Sequence, residues 1–194
     1  MAPTRSRRLK AAAAGLTLAV LLAAGCGGPG GKAGAPKTLT IAVVPMGTTH
    51  EFWKSIHAGA ETAAKELGVR VIWKGPLRET DRNEQLQIVE TLTGSGIDAL
   101  VLSPIDDKAL VRPVVEAAGL GIPTVIFNTA LSGGDMAATI STDNFRGGVL
   151  AAGLVGKLTG GHGRVILMRV TEGVEGTMKR EEGFSGPSVR SVPA

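Results

Sequence analysis

Two of the chain's six Phe and Trp residues stand side by side in Thr48-Thr49-His50-Glu51-Phe52-Trp53, and no tyrosine is present. Ser103-Pro104-Ile105-Asp106-Asp107, Asn128-Thr129 and Ser141-Thr142-Asp143-Asn144 add clusters of hydroxyls, amides and carboxylates, each after a short apolar, β-rich run. Rings beside fixed polar groups suit a small polyhydroxylated ligand. A ring face covers its C–H side, while polar groups pair with its hydroxyls and set its orientation. Each residue also has a plainer role. Phe52 shares a helix face with Ile56 and serves equally well as a core contact, whereas Trp53 lies about 100° further round and is harder to place in a core. Asp106, Asp107 and Asp143 are good N-caps for the helices that follow, and Asn128 is a good turn residue.

Bond-making chemistry finds no such support. Gly119-Leu120-Gly121 has Thr124 where a dinucleotide fingerprint needs its third glycine, and it precedes a strand instead of a helix. Gly156-Lys157 is followed by Leu158, so there is no P-loop, and no G-x-S-x-G elbow occurs. His50, His57 and His162 lack metal-ligand spacing. No catalytic residue, metal or cofactor is expected; His57 reads as a solvated helix residue and His162 as a loop residue.

The N-terminus carries Arg5, Arg7, Arg8 and Lys10, then apolar Ala11 to Ala24, then Gly25-Cys26. This is the three-part layout of an export signal, shorter than the roughly 20 apolar residues of a spanning helix. Small residues directly before the lone cysteine resemble the lipobox of bacterial lipoproteins. That likeness implies cleavage before Cys26, a lipid on its thiol, attachment to the membrane, and a place in the periplasm or cell envelope. Residues 1–25 hold four of the 21 basic residues and none of the 17 acidic ones, so the remainder is balanced at 17 of each. No basic patch is left for a nucleic acid. Residues 26–37, Gly- and Pro-rich with no large apolar side chain, read as a flexible tether.

The elements that must position the polar clusters alternate strand with helix. Strands are predicted at Leu39–Val44, Val69–Trp73, Ala99–Leu102, Pro123–Phe127, Ala138–Ile140 and Arg164–Val170. Helices are predicted at Glu51–Leu67, Asp81–Leu92, Lys108–Ala118 and Phe145–Leu158, with another opening near Thr177. Continuous apolar strands with helical crossovers imply an α/β fold: an open, doubly wound, mostly parallel sheet covered on both faces. Ligands bind such sheets beyond the carboxyl ends of the strands, which is where the polar clusters fall. The last predicted strand has no later strand to pair with, and the run from Ser185 to Ala194 has no periodicity.

Taken in order, several of these pieces resemble the type I, ribose-binding-like substrate-binding proteins of bacterial ABC sugar importers. The likeness runs from about Thr38 to Phe184. It rests on Thr48 to Trp53, Leu102-Ser103-Pro104, Ile122-Pro123-Thr124-Val125-Ile126 leading to Asn128, Ser141 to Asn144 with Gly147-Gly148, and Lys179-Arg180-Glu181-Glu182-Gly183-Phe184. The resemblance implies that Phe52 and Trp53 sandwich a sugar, that His50 and Ser103 make polar contacts to it, and that Arg180 reaches across from a second lobe. Asn128-Thr129 departs from the family pattern, in which an acidic residue and then an arginine grip the sugar, so a modified sugar or another small polar molecule is equally compatible.

The family fold places a first lobe at 38–142 and the start of a second at 143–194, with the strands that return to the first lobe not represented. On this reading the chain is C-terminally truncated. The implied function is capture of a carbohydrate-like solute outside the cytoplasmic membrane and delivery to an ABC permease. A chemosensory receptor of the same fold and a non-functional fragment are the alternatives. A transcription regulator would need a helix-turn-helix before the fold, where the export signal stands instead.

Overall fold

The computed structural model describes residues 37–186. Cys26, the export signal at 1–25, the tether up to residue 36 and the tail beyond Gly186 lie outside the described residues. The strands β1 (Thr40–Val44), β2 (Arg70–Trp73), β3 (Ala99–Leu102), β4 (Thr124–Asn128) and β5 (Ala138–Ser141) form one parallel sheet in the order β2-β1-β3-β4-β5. Ala42 lies opposite Ile72 on one side and Leu100 on the other, which makes β1 an interior strand. The helices are α1 (Glu51–Leu67), α2 (Arg82–Gly94), α3 (Val111–Gly119), α4 (Asn144–Leu158) and α5 (Glu175–Phe184).

Local chemistry sets most of the boundaries. Asp81 caps α2 by accepting from the Glu84 N–H, and Asp143 caps α4 by accepting from the Arg146 N–H at 2.9 Å. Gly68 ends α1 in the left-handed conformation, φ 65°, and donates its N–H to the Ala64 carbonyl.

Side chains alternate across a strand, and the two faces of the sheet differ. Ala42, Val44, Leu100, Leu102 and Ile126 point to one face, where Ile88, Val89 and Leu92 of α2 and Val114 and Ala117 of α3 cover them. Each large aliphatic side chain buried there contributes about 1.5–3 kcal/mol. Ile41, Val43, Val71, Val101 and Phe127 point to the other face. There α1 lays Ile56, Ala60 and Ala64 over them and leaves an apolar groove of about 370 Å³.

Three expectations are corrected. The rotation of α1 places Trp53 and Ala64 inward and leaves Leu67 at 71% exposure, so Phe52 is on the solvent side and Trp53 is the core residue. The third helix starts at Val111 instead of Lys108. The Asp106 carboxylate accepts from the Lys108 and Ala109 N–H groups, and the Asp107 carboxylate turns to the Ser132 hydroxyl, so residues 107–110 form a turn. Residues 164–170 are not a strand: Ile166 and Met168 are 89% and 85% exposed, and β5 ends the sheet without joining them. Strand propensity reflects packing on neighbours, and this run has no ladder to enter.

The closest helix pairing is α4 on α5. A Cβ at Gly148 would collide with the Arg180 carbonyl oxygen, and one at Gly183 would collide with the Phe145 carbonyl oxygen, so each helix receives the other's backbone at a glycine. Gly147, one residue away, has nothing within 4 Å of its Cβ direction. Gly148→Ala and Gly183→Ala are each expected to cost about 3 kcal/mol or more from overpacking, whereas Gly147→Ala should be neutral or stabilise by up to about 1 kcal/mol. Urea unfolding followed by circular dichroism measures all three; equal effects at 147 and 148 would contradict the seam.

Candidate functional site

The strand order turns back between β1 and β3, and ligands of open parallel sheets lie at such a point, beyond the strand carboxyl ends. A cleft of about 400 Å³ opens there. Met46, His50, Phe52 and Trp53 line it from the β1–α1 connection, Glu79 from the loop after β2, and Asn128 and Thr129 from the end of β4. Asn144 opens α4 into it, and Val174, Gly176, Thr177 and Arg180 complete the wall from the start of α5 and the segment before it.

The first wall is built by the start of α1. His50 is its N-cap, and its Nδ1 accepts from the Phe52 N–H at 3.1 Å. In the neutral ring that bond leaves the hydrogen on Nε2. Phe52, 48% exposed, stands edge-on to Trp53 with centroids 4.9 Å apart. Trp53 is 2% exposed and packs with Met46, Ile105 and Val174. Its indole N–H donates to Glu79 Oε1 at 2.7 Å, so Glu79 keeps one oxygen uncommitted to that bond.

Beneath the cleft, Gln85 of α2 is fully buried and all its bonds go to the backbone of two loops. Its Nε2 donates to the Pro45 and Ser103 carbonyls at 3.0 and 2.8 Å, and its Oε1 accepts from the Ile105 N–H at 2.8 Å. The loops after β1 and β3 are therefore joined through one side chain. Ser103 is itself fully buried, and its hydroxyl accepts from Asn128 Nδ2 at 3.2 Å. It stands behind Asn128, outside the residues that line the cleft.

Residues 172–176 form a strap across the strand ends. The Gly176 N–H donates to the Thr129 hydroxyl at 2.9 Å, and the Ala130 N–H donates to the Glu175 carboxylate at 3.2 Å. No side chain of α5's own cap satisfies its first turn, so Thr129 and Glu175 act together as a capping pair split between two segments. The Asp107 N–H bonds the Gly173 carbonyl at 2.9 Å, Arg82 donates to the Glu172 carbonyl, and Arg82 pairs with Asp106 at 3.2 Å. Gly173, φ 87°, lies so close to this pair that a Cβ would stand 2.7 Å from the Asp106 carboxylate. Burial pushes the Asp106 carboxyl up, but the Ala109 and Lys108 N–H groups and the Arg82 and Lys108 charges outweigh it and hold the group below its ordinary value.

The structure thus brings His50, Phe52, Trp53, Asn128, Thr129 and Arg180 to one cleft and sets Ser103 immediately behind it. Asp143 caps α4, and Ser141 and Thr142 are exposed away from the lining. Glu79 and Gln85 escaped the sequence reading. Glu79 follows the one strand end in the first half of the chain that was not read as a ligand position. Gln85 is the polar interruption of the apolar stripe of Ile88, Val89 and Leu92, a recognisable sign of a buried hydrogen-bonding role. His57 stacks on Trp73 at 4.5 Å. Among the described residues no three His, Cys, Asp or Glu side chains gather as metal ligands would.

Gln85→Leu strands two carbonyls and an N–H and is expected to cost about 2–4 kcal/mol. Gln85→Glu, which sets carboxylate oxygens against the same carbonyls, should cost at least as much at neutral pH. Chemical denaturation reads both, and a change within experimental error would show that the staple carries no weight. The lowered Asp106 value fixes a sign. Its contribution is present above the ordinary aspartate range and is lost as pH falls through the folded value. Asp106→Asn should therefore lower the melting midpoint near pH 7 and have a smaller effect as pH falls through the folded value; an effect independent of pH would contradict the assignment.

Comparison with known proteins gives the cleft its context. The model of the periplasmic binding protein domain matches residues 41–186. The ribose import binding protein of Bacillus subtilis is 29% identical over 153 residues, 79% of this chain and 50% of its own length. The D-allose-binding periplasmic protein of Escherichia coli is 31% identical, over 75% of this chain and 48% of its own length. A carbohydrate transporter solute binding protein from Agrobacterium radiobacter, solved with D-arabinose, superimposes with a TM-score of 0.71 at 33% identity, covering 77% of this chain and 52% of that one. The chain spans about half the length of the curated relatives it matches. With the family model covering three quarters of its residues and the cleft at the expected strand ends, the chain belongs to the periplasmic binding protein domain family.

Proposed function

We propose that this chain serves as the solute-binding component of an ABC-type importer and takes up a sugar or sugar-like polar molecule in the cleft beyond β1, β3 and β4. The observation that carries this reading is the composition of that cleft. A half-exposed Phe52 ring stands beside His50, Glu79, Asn128, Asn144, Thr177 and Arg180, a mixture that suits a C–H face and a set of hydroxyls together. Relatives named for ribose and allose, and an arabinose-bound structural neighbour, agree in solute class.

Each side chain has a part in this reading. Phe52 covers the ring face, His50 donates through Nε2, and the free oxygen of Glu79 accepts. Arg180, which has no ion-pair partner among the described residues, supplies donors from the far wall. Trp53 supports Phe52 from behind and leaves the stacking to it. Residues 38–142 form the first lobe, and residues from 143 on open the second, so Thr129 and Glu175 bridge the two. The protein acts outside the cytoplasmic membrane, held by a lipid on Cys26, and passes its solute to a permease without bond chemistry. No helix among the described residues is long and apolar enough to cross a membrane.

Thermal-shift measurements on the full chain with D-ribose, D-allose, D-arabinose and xylitol test this directly. One of these solutes is expected to raise the midpoint, and to go on raising it with the logarithm of its concentration once that exceeds Kd. Phe52→Ala, at an exposed ring, should leave the unliganded midpoint nearly unchanged and abolish most of the shift. Asn128→Gly, whose backbone adopts φ 69° freely, should also abolish most of the shift, with some lowering of the unliganded midpoint because the buried Ser103 hydroxyl loses its partner. A panel with no shift, or a shift that survives both substitutions, would overturn the assignment.

A further inference from the structure

We propose that Asn128 is a one-way hydrogen-bond selector, its amide oriented by Met46 and Ser103 so that it only accepts from whatever occupies the cleft. An amide nitrogen carries two hydrogens. The Asn128 Nδ2 lies within hydrogen-bond reach of two acceptors, the Ser103 hydroxyl oxygen at 3.2 Å and the Met46 sulfur at 3.5 Å, one for each hydrogen. A hydroxyl can donate or accept, so Ser103 alone would tolerate either orientation of the amide. A thioether accepts only. Turning the amide over would set Oδ1 against that sulfur, acceptor against acceptor. Met46 and Ser103 are 4% and 0% exposed, so bulk water competes little for either acceptor.

The backbone narrows the choice further. Asn128 has φ 69°, the one positive value at a non-glycine among the described residues. The Thr129 N–H donates to the Phe127 carbonyl at 2.8 Å, closing a three-residue turn about Asn128 that is rare and strained. Such outliers persist only where the surroundings over-determine them, and they cluster at ligand clamps. The neighbouring Thr129 hydroxyl already accepts from Gly176. The end of β4 therefore offers the cleft one uncharged acceptor, Asn128 Oδ1, and no cation.

The consequence rests on the solute-binding reading above. The solute group that meets Asn128 is a donor, such as a hydroxyl of a neutral polyol. An ether, carbonyl or carboxylate oxygen at that place is rejected, because a site built around one hydrogen bond discriminates strongly against a partner that cannot make it. Met46 and Ser103 are positioning residues that act through Asn128.

The test is NMR of the asparagine side-chain amides in the full chain, first with no solute added. Both Asn128 Hδ2 protons should exchange more slowly than those of exposed Asn83, and one should show an NOE to the Met46 methyl group. Met46→Leu keeps the volume and removes the acceptor. It should raise exchange of that proton about five- to tenfold while the backbone spectrum persists. Ser103→Ala should free the other proton, a second reading should Met46→Leu disturb the fold. Added D-ribose should move the Asn128 side-chain carbonyl carbon resonance and leave both amide protons on their protein partners. Exchange at the Asn83 rate, no NOE to Met46, or amide protons transferred to the sugar would each overturn the proposal. If D-ribose causes no shift at all, that counts against this sugar as the solute, and the orientation is decided by the solute-free protection pattern alone.

Discussion

Two loops leave the sheet side by side after β1 and β3 at the point where the strand order reverses, and beyond the Ser103 N–H to Val44 bond no ladder joins them. Gln85 supplies that join. Its amide group reaches both loops from a helix on the covered face, with every bond made to backbone and none to solvent. The rest of the cleft depends on this one contact. Pro45, which it holds, precedes Met46, and Ser103, which it also holds, presents the hydroxyl that Asn128 leans on. A buried polar group is costly unless satisfied, and fully satisfied it fixes a single arrangement. The arrangement it fixes here is the floor on which the polar rim stands.

Above that floor the polar atoms divide into those the protein consumes and those it leaves open. Trp53 gives its N–H to Glu79, His50 uses Nδ1 on its own helix, and Thr129 gives its hydroxyl oxygen to Gly176. What remains open is a carboxylate oxygen on Glu79, an imidazole N–H on His50, the amide oxygen of Asn128 and the guanidinium of Arg180. His50, fixed by its own helix, and Glu79, fixed by Trp53, hold their directions in advance, and preorganisation of this kind lowers the ordering cost of binding.

Much of this was legible in the sequence, for identifiable reasons. Strands buried on both faces appear as unbroken apolar runs, so β1, β3 and β4 could be placed within a residue or two. Asp81, Asp143 and Gly68 mark helix ends by chemistry that acts within one turn. The failures share the opposite property. Whether Phe52 or Trp53 faces inward depends on the rotation of α1, which is set by partners remote in sequence, Glu79 and Val174 among them. The run from Arg164 to Val170 has the composition of a strand but no neighbour to make it one. Asp107 was a plausible helix cap until Ser132 came within reach. Local signals were read correctly where the interaction was local, and the cleft was located by topology before its side chains could be assigned.

The glycine seam between α4 and α5 bears on how force moves through the molecule. Two helices whose backbones touch at Gly148 and Gly183 cannot slide or rotate on each other without collision, so they behave as a single stiff lever. The near end of that lever is tied to the tip of β4 through Thr129 and Glu175, and Asn144 at the root of α4 stands in the cleft wall. The outer surface of α4, where Leu150 and Leu154 lie exposed, is thus joined to the wall of the cleft through rigid backbone contact and not through side chains that can give way.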